Sequence, residues 1–128
     1  MEADQDVERR QFFRVITRIF PRYAARVDEQ LVELKAFDAV ILDLSGGGLL
    51  LQSRQWVPVF SRLRLMFSLA DDPLEFDIQV TPRALGQGAL MQQYSIHCAF
   101  TDMRRSDVDR IVRYVYRQQL MLRRRGLL

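Results

Sequence analysis

The sequence predicts a mainly β domain, an antiparallel barrel or sandwich closed by a C-terminal α-helix. Three observations carry that prediction. Apolar residues alternate with polar ones through most of residues 61–100. Short runs of this kind are separated by turn signals such as "SGGG", "ADDP" and "LGQG". After Ser106 the apolar spacing changes from two to that of a helix, with Val108, Ile111, Val112, Val115 and Leu122 on one side.

The chain has 128 residues, enough for one domain with one core. At 48% hydrophobic and 27% charged it reads as globular and not as a disordered chain. No apolar run approaches the ~18 residues of a membrane span. The opening "MEADQDVERR" lacks the apolar stretch of a secretory signal. One cysteine, Cys98, excludes an internal disulfide framework and fits a reducing, cytoplasmic setting. With His97 as the single histidine, no metal site is expected.

The elements follow in order. Residues 1–8 are acidic and polar and read as a flexible tail or linker, with a single domain over 9–128. Arg10, Arg14, Arg18, Arg22 and Arg26 recur every four residues, as on one helix face. Pro21 and the repulsion along such a stripe argue against a helix there. "FFRVITRIFP" is therefore read as extended or irregular, leading into a strand around Ala24–Leu31. "FDAVILDLS" is a strand ending near Asp43, and "GLLLQS" is the next, with glycines turning between them. Ser61–Leu69 puts Leu63, Leu65 and Phe67 on one face and Arg62 and Arg64 on the other. Leu74–Pro82 alternates Leu74, Phe76, Ile78 and Val80. "LGQGAL" connects it to a strand carrying Tyr94, Ile96, Cys98 and Phe100. The β region spans about 15–103 and the helix about 106–124. Ser106 is the expected N-cap, with Asp109 behind it. Arg123, Arg124 and Arg125 crowd the last turn, where the helix dipole favours cations.

Catalysis finds little support. Asp43 stands where the first glycine of a G-x-S-x-G elbow would be, and no Lys-Ser/Thr follows the glycines as a phosphate loop requires. His97 has no acid or metal partner in any motif and reads as a strand residue; Trp56 reads as packing. The chain is not expected to be an enzyme.

Binding finds more. "RRQFFR", Arg9 to Arg14, supplies three guanidinium groups, which grip phosphates and guanine edges. "DLSGGG" supplies the Asp43 carboxylate, the Ser45 hydroxyl and open backbone, with Gly48 allowing close approach. The alternative is a glycine hairpin needing positive φ, with Asp43 and Ser45 satisfying turn amides.

Arg10-x-x-x-Arg14 followed by Asp43-x-Ser45-x-x-Gly48 resembles the PilZ domain family, receptors for the bacterial second messenger cyclic di-GMP. "RRQFFRV" looks like the start of the PilZ half of flagellar-brake-type proteins. "HCAFTDM" before a helix is similar to the family's last strand and C-terminal helix, so the likeness covers about residues 9–122. The resemblance implies a six-stranded antiparallel barrel with a C-terminal α-helix. It implies cyclic di-GMP binding by Arg9, Arg10, Arg14, Asp43, Ser45 and Gly48. Arg9 ahead of the motif implies an intercalated pair of ligand molecules. It further implies an arginine segment that orders on binding and signals to a protein partner or neighbouring domain, controlling motility or the exopolysaccharide of biofilm. Two rivals stand beside it: a ligand-independent adaptor of this family, and a small basic barrel binding single-stranded nucleic acid. The arginine motif speaks against the first. The second is disfavoured because the aromatics are not interleaved with arginines on one strand face.

Overall fold

The computed structural model describes residues 14–88 and 92–126. They form eight antiparallel strands and one helix: β1 Arg14–Ile19, β2 Tyr23–Val27, β3 Glu33–Ala36, β4 Ala39–Ser45, β5 Gly48–Ser53, β6 Arg62–Leu69, β7 Asp72–Gln87, β8 Tyr94–Thr101 and α1 Arg105–Arg124. The strands make a single sheet in the order β1-β4-β5-β8-β7-β6-β2-β3. The sheet curls until β1 lies against β6, giving a barrel-like wrap around one core.

The expected six strands are corrected to eight among the described residues. Within the segment read as extended or irregular, Arg14–Ile19 is a strand, β1, ending before Pro21, which cannot donate to a ladder. The strand expected over Ala24–Leu31 stops at Val27. Asp28 Oδ1 accepts the Gln30 and Val32 amides, each at 2.9 Å, and Leu31 turns with φ +66°. The chain then reverses into the extra edge strand β3, which pairs with β2.

The alternating runs fill the core as expected. Leu63, Leu65, Phe67, Phe76, Ile78, Val80, Ile96 and Cys98 are buried, and the rings of Phe67 and Phe76 stack at 5.1 Å. Leu74, at the start of its run, is 65% exposed. β7 does not end at Pro82 but continues to Gln87, so part of the expected connection is strand.

Helix α1 buries Ile111, Val115 and Gln119, one residue per turn. Arg110 pins it to the β6–β7 hairpin. Its Nε donates to Asp72 Oδ2 at 2.7 Å, and its guanidinium lies 3.8 Å from the centre of the Phe76 ring. That contact holds the Asp72 carboxyl below its ordinary pKa. Ser106 is not the cap: the helix starts one residue earlier, and Arg104 fills the N-cap position with no side-chain hydrogen bond. Arg123 and Arg124 do occupy the last turn. Gly126, at φ +71°, ends the helix in the left-handed conformation glycine tolerates. Among the described residues no helix is long and apolar enough to cross a membrane.

Candidate functional site

The expected site residues divide by position. Arg9 and Arg10, with the tail 1–8, lie outside the described residues. Arg14, Asp43, Ser45 and Gly48 come together on one cleft of about 800 Å³.

Asp43 reaches that cleft because β4 breaks its own alternation. Ile41 faces Leu51 and Asp43 faces Leu50, so Leu42 is an extra residue in the ladder with β5. Ile41 and Leu44 are both fully buried, three apart, and Asp43 is released towards the cleft between them. Without the bulge, Asp43 would share the inward face with Ile41. The carboxylate forms an ion pair with Arg14 across the β1–β4 ladder. Asp43 keeps 10% of its side chain exposed, whereas Arg14 keeps 52%. The guanidinium is thus fixed at one edge while its remaining N–H donors face solvent.

Ser45 is occupied by its own turn. Its hydroxyl donates to Gly48 O at 3.1 Å and accepts the Gly47 and Gly48 amides at 3.3 and 3.2 Å. This matches the turn-satisfying role for Ser45, but not for Asp43, which is paired with Arg14. Positive φ is not what the three glycines supply, for none of them adopts it. Gly48 answers to packing: a Cβ there would lie 2.1 Å from Cys98 O on β8. Gly46 sits under the Val112 side chain of α1, and a Cβ at Gly47 would meet nothing within 4 Å. A bare stretch of backbone therefore floors the cleft beside Asp43.

The helix supports the site from behind. Gln119, buried in the face of α1, donates Nε2 to Arg14 O at 3.1 Å. It satisfies an outward carbonyl of edge strand β1 and fixes where Arg14 begins. The opposite wall holds Arg83 of β7 and His97 of β8, both exposed. Neither belongs to the motif reading. Alternation in "YSIHCAF" already places His97 opposite Ile96 and Cys98, on the outer face. Pro82 inside a strand, a sign of a bulge, was the signal available for Arg83.

The arrangement suits recognition. A guanidinium offers bidentate contacts to phosphate, a carboxylate accepts from base N–H groups, and exposed peptide groups allow close approach.

The PilZ domain family profile matches residues 8–117. With that match over most of its length, the chain belongs to the PilZ domain family. No curated protein sequence matches it. Among solved structures it is similar to the Bacillus subtilis inhibitor of motility MotI/DgrA, at 12% identity and a TM-score of 0.70, over 84% of this chain and 50% of that one. It is similar to the PilZ domain of Escherichia coli YcgR with c-di-GMP, at 11% identity and a TM-score of 0.64, over 89% of this chain and 94% of that one. It is also similar to K. pneumoniae MrkH, at 19% identity and a TM-score of 0.65, over 86% and 48% respectively. The chain spans about half the length of the MotI/DgrA and MrkH chains it matches. At these identities the likeness is one of fold.

Proposed function

We propose that the chain is a cyclic di-GMP receptor whose site is the cleft bounded by Arg14, Asp43 and the glycine turn. The observation that carries this reading is the Arg14–Asp43 pair beside bare backbone. It presents a cation for phosphate, a carboxylate for guanine N–H groups, and room for both. The YcgR PilZ structure with c-di-GMP supplies a fold precedent for the ligand.

Arg9 and Arg10 join Arg14 on the phosphates, and Ser45 and Gly48 line the guanine side. Arg9 adds the contacts that hold a second, intercalated ligand molecule. Phosphates neutralise the mutual repulsion of the three arginines, so the segment orders against the barrel. That change is passed to a protein partner or neighbouring domain, with motility or exopolysaccharide production as output. MotI/DgrA, named as an inhibitor of motility, supports the first of these.

Calorimetric titration with cyclic di-GMP, against GTP and cyclic di-AMP, tests the reading. Selective binding near two ligands per chain is expected; near one would remove only the intercalated pair. Arg14→Ala should weaken binding by roughly ten- to hundred-fold, the worth of a charged hydrogen bond, with the fold intact. An unchanged affinity would sink the assignment.

A further inference from the structure

Arg83 stands at a second break in the sheet. On β7, Pro82 faces Cys98 and Ala84 faces His97, which leaves Arg83 without an opposite residue on β8. Val80 and Pro82 are buried and Leu85 packs against the core, so the inward spacing changes from two to three across Arg83. β4 is bulged too, but there the extra residue is Leu42 and Asp43 beside it changes face, whereas on β7 the extra residue is Arg83 itself. Bulges of this kind turn a side chain away from the ladder's normal course, and they concentrate beside binding sites.

The freed side chain is then held. The Arg83 guanidinium lies 5.6 Å from the centre of the Phe60 ring. Phe60 itself is 70% exposed and adopts φ +63°, a left-handed conformation costly for an aromatic residue. A hydrogen bond from Phe60 N to Pro82 O, at 2.8 Å, ties that strained residue to the position just before Arg83. Two unfavourable backbone features thus converge on one arginine. Core packing does not account for the left-handed backbone of Phe60, whose ring is in solvent. Among the described residues no carboxylate pairs with Arg83, unlike Arg64 on the neighbouring strand, which is bidentate on Asp77.

Arg14 on β1 and Arg83 on β7 bound the cleft at opposite ends of five adjacent strands. Four strand intervals are about 19 Å measured along the sheet. A guanidinium at each end suits an anion extended enough to meet both.

We propose that Arg83, held on the Phe60 ring, is a further ligand-contacting residue that grips the far phosphate of the bound nucleotide from the β7 wall. The proposal rests on the receptor reading above and extends it to a residue outside both motifs. The test is cyclic di-GMP titration of the whole chain and three variants. Arg83→Ala should bind about ten-fold or more weakly, as expected for a lost charged hydrogen bond. Phe60→Gly should melt higher than the parent, because glycine accepts positive φ freely, yet bind several-fold more weakly because Arg83 loses its platform. Arg117→Ala, which removes an arginine paired with Asp71, should bind as the parent does. A parent chain that binds while Arg83→Ala binds equally well overturns this inference alone. So does an Arg117→Ala loss as large as that of Arg83→Ala, which would make the effect one of net charge. A folded parent that binds no cyclic di-GMP overturns the receptor reading and this inference together.

Discussion

Strand β7 passes through two regimes. From Phe76 to Val80 it pairs with β6 in regular register, Leu63 with Val80 through Phe67 with Phe76, and every second side chain enters the core; the ladder shifts only towards the hairpin, between Phe67 and Leu69. Its second half pairs with β8 and slips at Arg83, where the side chain turns to the cleft. β4 behaves alike: Leu44 is core, and one extra residue at Leu42 delivers Asp43 to the cleft. Regular pairing builds the barrel, and its interruptions aim the residues that can meet a ligand. A regular β4 would put Asp43 on the inward face with Ile41, since a one-residue slip exchanges the faces of everything beyond it, whereas on β7 the extra residue is Arg83 itself, left outward and without a partner on β8.

If that division holds, damage to the regular half should lower stability without altering recognition. The largest effect is expected for Phe76→Ala, which removes a fully buried ring stacked on Phe67 and facing Arg110. It should cost about 3–5 kcal/mol in urea unfolding, with the affinity of the remaining folded protein unchanged. Altered affinity in folded molecules would show that the two halves are not separable.

The glycine turn sharpens the comparison. Gly48→Ala places a methyl group 2.1 Å from Cys98 O, so β5 or β8 must shift. A loss of about 1–3 kcal/mol is expected, accompanied by weaker nucleotide binding. Gly47→Ala meets open space and should leave the melting temperature within a degree or two of the parent, by the usual scaling of small free-energy changes. Equal effects at the two positions would contradict a packing origin for Gly48.

A smaller change is expected for Gln119→Leu, which deprives Arg14 O of its donor. About 1 kcal/mol of stability should go. Cyclic di-GMP affinity should fall a few-fold, because β1 no longer sets Arg14 in place. Unaltered affinity would confine Gln119 to packing.

The smallest effect is one of pH on the regular half. The Arg110 hydrogen bond depresses the Asp72 carboxyl below its ordinary value of 3.8. A depressed acid stabilises the fold fully above its unfolded pKa and loses that contribution as pH falls through the folded one. Asp72→Asn should therefore show a flatter decline in melting temperature below about pH 4 than the parent. Identical acid limbs would dismiss this anchor as a pH-sensitive contact.

Most of the regular half was legible because its physics is local. "LRLMF" and "FDIQV" declare their buried faces by period two, and Val108 to Leu122 declare a helix by spacing. The candidate site was legible only through chemistry: Arg14, Asp43, Ser45 and Gly48, which meet on one cleft, stood out by type and spacing, not by period. Arg83 escaped because Pro82 looks like the end of a strand. What keeps the strand going is pairing with β8, a contact distant in sequence. β1 was read no further than extended or irregular for a related reason, since arginines spaced by four blur a strand whose partner, β4, lies more than twenty residues on. Gln119 was hidden among the polar residues of a helix end. Nothing nearby in the chain shows that it turns inward to Arg14.

Cys98 gives the molecule a clock. Its thiol is the only one in the chain, lies buried beneath the cleft floor, and is pushed up to about 12 by that burial. At neutral pH burial shields it from a disulfide reagent until a local opening bares it. The rate of labelling therefore counts local openings around β8, among them those of the seam with β5 on which the glycine turn rests. A nucleotide seated across that seam should slow the count in proportion to its occupancy, so the native chain reports its own ligand without an added probe.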